Sequence, residues 1–165
     1  MLHVAQPENV EPWFAAAAAA GVHDYDFIGV SYYPKWSAFD MKQAQSALTA
    51  VKKRFKADII VVEVSYPWTL RDAGDKAPNL LGEDSLLRGY PATPAGQQRF
   101  MNDVVRMTLG ARGVGVVYWE PAWVSTKCPT RGGTGSHWEN ATLFDFRKGN
   151  ELTPAADFLK AIRGL

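Results

Sequence analysis

The run Asp58-Ile59-Ile60-Val61-Val62-Glu63-Val64-Ser65-Tyr66-Pro67 constrains this chain more than any other stretch. A continuous β-branched segment leaves no polar face for water, so it reads as a strand buried on both sides, as in parallel sheets. Glu63 is the one carboxylate near its end. Burying a carboxylate is costly unless it is paired, hydrogen-bonded or protonated. From the strand alone Glu63 has two readings: a structural acid satisfied by an arginine or a backbone amide, or a member of a functional site.

The rest of the chain alternates around this strand. Residues 2–5 form a short apolar piece ended by Gln6-Pro7, and residues 8–20 read as a helix with Trp13 and Phe14 on its packing side. Its alanine run, 15–20, suits close packing. Residues 26–33 form the next strand, ended by Pro34. Asp40 and Gln43 make a capping box for a helix over 41–55, in which Ala44, Ala47, Leu48, Val51 and Phe55 share one face. Lys42, Lys52, Lys53 and Lys56 form a solvated face. Thr93 and Pro94 start a helix running to about residue 109. A strand over 113–120, closed by Pro121, an apolar piece over 143–146 and a helix over 153–162 complete the order. The loops 68–91 and 122–142 exceed the usual connection length, which makes them candidate functional segments.

Strand followed by helix, four times over, implies an α/β fold with a parallel sheet and right-handed crossovers. An open doubly wound sheet and part of a (β/α)₈ barrel both fit. No glycine-rich phosphate loop follows any strand, whereas polar and aromatic residues gather at strand ends, the face on which barrel enzymes place their sites. The 165 residues suffice for one sizeable core, so a single domain over 1–165 is expected.

Charge and cysteine content exclude several functions. Eighteen basic residues against 17 acids leave a net charge of +1 with no basic stripe, so nucleic acid is not an expected partner. Cys128 is the only cysteine, which rules out an intramolecular disulfide and a multi-cysteine metal site. No apolar run approaches the roughly 20 residues of a membrane span, and residues 1–7 lack the features of a signal peptide.

Five of the six tryptophans, Trp36, Trp68, Trp119, Trp123 and Trp138, lie at or beyond strand ends. Aromatic faces suit the C–H faces of sugar rings, and Tyr, Glu and indole N–H groups suit their hydroxyls. Packing beneath long loops is the alternative for any one of them. Glu63 and Glu120 end consecutive strands on one face of the sheet, the minimum for a carboxylate-rich cleft. Glycoside hydrolysis with retention uses two carboxyl groups about 5–5.5 Å apart, which adjacent strand ends can meet. The residues alone leave Glu120 open as catalytic partner, sugar ligand or orienting group.

Other chemistry has less support. The loop acids Asp72, Asp75, Glu83 and Asp84 lack EF-hand spacing and are interrupted by Arg71 and Lys76, so a solvated loop is expected, with Ca²⁺ the alternative. His3 and His137 suit substrate binding, His23 a surface position, and the three do not assemble a metal site. Ser31 and Ser65 lack a Gly-x-Ser-x-Gly turn.

Four ordered segments carry a family resemblance: Phe27-Ile28-Gly29-Val30-Ser31-Tyr32-Tyr33-Pro34, Val62-Glu63-Val64-Ser65-Tyr66-Pro67, Gly89-Tyr90-Pro91-Ala92-Thr93-Pro94-Ala95-Gly96-Gln97, and Gly115-Val116-Val117-Tyr118-Trp119-Glu120-Pro121-Ala122-Trp123. With Trp138-Glu139-Asn140 and Leu143-Phe144-Asp145-Phe146, they resemble glycoside hydrolase family 53, the arabinogalactan endo-β-1,4-galactanases. The resemblance implies a (β/α)₈ TIM barrel of which only the C-terminal half, strands five to eight, is present. It also implies that Glu63 is the nucleophile and that the acid/base Glu, in an Asn-Glu pair after strand four, is missing. Asn150-Glu151 is the only such dipeptide here and precedes the last helix. Tyr32 or Tyr33 then approaches Glu63 and tunes it, and both belong with Trp36, Trp68, Trp119, Glu120 and Trp123 to the implied substrate-binding surface.

On that reading the chain is the nucleophile half of a retaining galactanase acting on arabinogalactan and pectic galactan outside the cell or in the periplasm. It is inactive alone, and a non-catalytic carbohydrate-binding half-barrel is the alternative. Family members bind Ca²⁺ in some cases after strand seven, but their Asp-rich pattern is not reproduced at residues 72–84. The implied partners are β-1,4-galactan and either the missing half-barrel or a second copy joined through open sheet edges. Met1 is then an internal methionine read as a start.

Overall fold

In the computed structural model the chain is described over residues 1–164, apart from 76 and 132. It divides into two units, Met1–Val64 with Asp103–Trp119, and Ser65–Asn102 with Glu120–Leu165.

The first unit is built on a parallel sheet. Its strands are β1 (Leu2–Ala5), β2 (Phe27–Ser31), β3 (Asp58–Val64) and β4 (Gly115–Tyr118), in the spatial order β1-β2-β3-β4. Sequential order without reversal is that of a barrel sector; a doubly wound sheet would reverse direction at a switch point. Helices α1 (Pro7–Ala19) and α2 (Met41–Phe55) make the crossovers, and the unit boundary falls within α3 (Pro94–Gly110).

The expected helix α2 has the boundaries its capping box predicts. Asp40 Oδ1 accepts from the Gln43 N–H at 2.8 Å, and Gln43 Oε1 accepts from the Asp40 N–H at 2.9 Å. Ala44, Leu48 and Val51 are buried on its inner face, while Phe14 of α1 packs edge-on against Tyr25, 5.0 Å between ring centroids. Asp40→Ala removes the cap and should lower stability by about 1 kcal/mol, read as an earlier urea midpoint. An unchanged midpoint would mean that packing alone sets this end.

The ladder is regular until it reaches the strand ends. Phe27 to Val30 pair with Asp58 to Val61 in step, but Ser31 pairs with Glu63, and on the other side the register slips between Val61 and Val64. An irregularity of this kind re-aims side chains. Glu63 breaks the alternation of the strand and is half-buried, whereas Ile59, Val61 and Val64 are buried. The expectation of a strand buried on both faces is corrected here. Ile60 and Val62 lie on a partly open sheet face, and Glu63 keeps part of its hydration.

The second unit has a different character. Tyr66 stacks on Phe100 with centroids 4.1 Å apart. Buried Gln97 donates to the carbonyls of Tyr66 and Thr142 at 2.9 and 3.0 Å, and its Oε1 accepts from the Thr153 hydroxyl at 2.9 Å. One amide thus ties three segments distant in sequence. Short antiparallel pairs join β5 (Pro129–Thr130) to β6 (Gly133–Thr134) and β7 (Phe144–Asp145) to β8 (Glu151–Leu152). The helix expected over 153–162 is instead a 3₁₀ helix, Pro154–Gly164. No described helix is long and apolar enough to cross a membrane.

Candidate functional site

Each unit carries part of the expected residue set. In the first unit Glu63 stands at the C-terminal end of β3, and the Tyr33 hydroxyl donates to its Oε2 at 3.5 Å. Tyr33 lies just beyond β2 and is buried, with its ring edge-on to Trp36 at 5.2 Å. Trp36 is 44% exposed, so it offers an open aromatic face near the carboxylate-bound tyrosine. Trp119 follows β4, is 36% exposed, and donates its backbone N–H to the Val64 carbonyl at 2.9 Å.

Tyr32 is placed differently from the sequence expectation. It is fully buried, donates its hydroxyl to the Phe39 carbonyl at 3.3 Å, and donates its backbone N–H to the Glu63 carbonyl at 2.9 Å. Alternation along the chain sends neighbouring side chains in opposite directions, so Tyr33 reaches the acid and Tyr32 packs behind it. His3, expected to touch substrate, is hydrogen-bonded through Nε2 to Ser31 Oγ at 2.8 Å.

The second unit holds Trp68, Glu120 and Trp123. Trp68 is also a correction. It is fully buried, packed against the Phe146 ring at 4.9 Å and beneath the Arg147 guanidinium at 4.7 Å, so it presents no face to a sugar. Arg147 is itself fixed by Asp145, to which Nε and Nη2 donate at 2.9 Å each. That fork holds the Asp145 carboxyl below its usual range. Glu120 adopts φ +48°, a left-handed conformation uncommon for a residue with a Cβ, and shares a shallow concavity with Pro121, Ala122 and Trp123.

Asp72 and Asp75, read from the sequence as acids of a solvated loop, instead meet a third acid, Glu139, that the sequence did not group with them. Oxygens of Asp72, Asp75 and Glu139 lie within 4.8 Å of one another. Glu139 is 1% exposed; its Oε1 accepts from the Ala73 N–H at 2.5 Å, and its carboxyl also shares a hydrogen bond with that of Asp75. Asp75 accepts from the Ser125 hydroxyl, from the Ser136 N–H at 2.8 Å and from the Ala77 N–H at 2.7 Å. A Cβ on Gly135 would sit 2.4 Å from the Asp75 carboxylate, so only glycine admits this approach.

Burial raises the Glu139 carboxyl to about 7, the Ala73 N–H opposes that rise, and the charges of Asp75 and Asp72 add to it. Burial also pushes Asp75 upward, but hydrogen bonds from the Ser125 hydroxyl, the Ser136 and Ala77 N–H groups and the Glu139 carboxyl outweigh that and hold it below the ordinary carboxyl value. Below about pH 7 the pair therefore separates into a protonated Glu139 and an ionised Asp75. A proton thus supplies counter-charge that a hard cation could also supply, although three oxygens are half the set that Ca²⁺ prefers. Lys76 lies outside the described residues. Glu83 and Asp84 are exposed, in line with the expected solvated loop.

The model of glycosyl hydrolase family 53 matches residues 1–159. An arabinogalactan endo-β-1,4-galactanase of Cellvibrio japonicus is 46% identical over 161 residues. The chain belongs to glycosyl hydrolase family 53. The match covers 98% of this chain and 43% of that relative, and an endo-β-1,4-galactanase of Bacillus subtilis is 33% identical over 74% of this chain and 29% of its own length. Among solved structures, the family 53 catalytic domain of Ignisphaera aggregans superposes with a TM-score of 0.82 at 26% identity, covering 97% of this chain and 45% of that domain. A fungal β-1,4-galactanase gives 0.71 at 25% identity, covering 96% and 46%. The chain spans less than half the length of these family members, and its four-stranded sheet is a partial TIM barrel.

Proposed function

We propose that this chain is the nucleophile-bearing part of a retaining endo-β-1,4-galactanase that cleaves arabinogalactan and pectic galactan outside the cell or in the periplasm. The observation that carries this reading is Glu63, half-exposed at the C-terminal end of a barrel strand with the Tyr33 hydroxyl directed at its Oε2. The family membership and the galactanase relatives support it.

A Glu63 oxygen attacks the anomeric carbon, forming a glycosyl ester as the bond to the leaving oxygen breaks. The Tyr33 hydroxyl holds one carboxylate oxygen so that the other is free for attack. Trp36 and Trp119 offer faces for galactosyl rings in the first unit, and Glu120 and Trp123 offer an acid and an indole in the second. The acid that protonates the leaving group, and later activates water, belongs to the four-stranded part this chain lacks. That complementary half-barrel is the partner expected to cover Ile60, Val62 and the edges of β1 and β4.

A non-catalytic carbohydrate-binding role is the second reading, favoured by the exposure of Trp36 and Trp119. Titration with β-1,4-galacto-oligosaccharides should quench tryptophan fluorescence while no new reducing ends appear. Turnover by the chain alone would contradict the assignment of the acid to another part of the enzyme.

A further inference from the structure

Gln6, the residue just beyond β1, adopts a conformation that a residue with a Cβ rarely takes. Its φ is +65° with ψ 134°, it is only 7% exposed, and it directly precedes the first residue of α1. Such strain persists only where the surroundings enforce it, and it concentrates at functional sites. Glycine would relieve the backbone. Glutamine supplies what glycine cannot, a buried side-chain oxygen that accepts from the Tyr33 N–H at 3.3 Å. Its own backbone is committed as well, since the Gln6 N–H donates to the Ser31 carbonyl at 3.1 Å and its carbonyl accepts from the Asn9 N–H at 3.1 Å.

These contacts form one line across three strand ends. Gln6 just beyond β1 holds the backbone of Tyr33 just beyond β2, and Tyr33 donates to Glu63 at the end of β3. The ladder between β2 and β3 shifts register at Ser31, and beyond it the Tyr32 N–H still donates to the Glu63 carbonyl at 2.9 Å, so the backbone at Tyr33 is held from β3 at Tyr32 and from Gln6 at its own N–H. We infer that Gln6 is a positioning residue, whose amide oxygen places the Tyr33 hydroxyl against Glu63 and so orients the nucleophile. This rests on Glu63 being the nucleophile. Gln6 itself touches neither substrate nor the reacting atoms.

The test follows covalent labelling of Glu63 by 2,4-dinitrophenyl 2-deoxy-2-fluoro-β-galactoside. A Glu63 oxygen bonds to C1 as the C1–O(aryl) bond breaks, and dinitrophenolate departs with the electron pair without needing a proton, so no acid/base is required. Gln6→Met keeps the length of the side chain but removes the acceptor, and Gln6→Glu restores an acceptor oxygen. The expected result is a first-order labelling rate at saturation about 10-fold lower in Gln6→Met, the half-saturating concentration changing less than about 3-fold, with Gln6→Glu within about 3-fold of wild type. Equal rates in Gln6→Met and wild type overturn the inference. So do equally slow rates in Gln6→Met and Gln6→Glu, which would mean that shape and not the acceptor matters. If Gln6→Met does not fold, Gln6→Glu is decisive: a 10-fold loss there overturns the inference, and near-wild-type labelling supports it. An unlabelled wild-type chain overturns the reading of Glu63 and the inference together, whereas a labelled wild type with indifferent variants overturns the inference alone.

Discussion

Joining this chain to the part of the Cellvibrio japonicus galactanase that it does not match should give a polypeptide that releases reducing ends from galactan, and Glu63→Gln should silence it. The physical reason is that retention divides its work between two carboxyl groups, and either is of little use without the other. General acid/base catalysis contributes about 10²–10⁴-fold, so with the acid assigned to the other half, the chain alone should turn over natural galactan at background. Within the joined polypeptide, Glu63→Gln removes the atom that forms the covalent intermediate. Loss of about 10⁴-fold or more in kcat is expected, the scale seen when the nucleophile of a covalent mechanism is removed. Glu120→Gln should act differently, weakening KM more than kcat, because Glu120 is assigned to sugar binding. If Glu120→Gln silenced the joined enzyme and Glu63→Gln did not, the roles of the two acids would have to be exchanged.

Stability should fall as the pH rises from about 4.5 to about 7 and then level off, and Glu139→Gln should flatten that decline. The sign follows from the direction of the shift. Folding raises the Glu139 carboxyl from 4.5 to about 7, so the folded state holds the proton more tightly than the unfolded chain. Below pH 4.5 both states are protonated and the group is neutral in its effect. Above that, the unfolded state gains by ionising while the folded state does not, until the pH passes about 7. The upper bound is about 3 kcal/mol, and screening around the exposed Asp72 will reduce it. Asp75 acts in the opposite sense at lower pH, losing its stabilising contacts as pH falls through its depressed value. The check is a set of urea midpoints between pH 4 and 8, without divalent cations. An undiminished decline in Glu139→Gln would assign the pH dependence elsewhere. A decline abolished in wild type by millimolar Ca²⁺ would put a cation where the proton is placed here.

The architecture was legible because its signals are local. The capping box at Asp40 and Gln43 marked the start of α2, and the prolines at 34 and 121 lie just beyond the expected strand ends. Glu63 was legible as a carboxylate in an apolar run, although not its partial exposure, which comes from a slip in strand pairing that involves residues far apart in sequence. Trp68 shows the limit from the other side. Its place after a strand matched that of the exposed tryptophans, but Phe146 and Arg147, far along the chain, cover it. Glu139 and Gln6 were missed for a related reason. Each draws its meaning from a partner 64 or 27 residues away, Asp75 or Tyr33, which no periodicity reveals. A hint did exist at Gln6, where a polar residue stands before a proline between two apolar elements.

The central claim is that Glu63 is the nucleophile. Its most direct test is peptide mapping by mass spectrometry after incubation with the dinitrophenyl 2-fluorogalactoside. One glycosyl adduct per chain is expected, carried by Glu63 and absent from Glu63→Gln. An adduct on Glu120, or on Glu63→Gln at the wild-type rate, would contradict it.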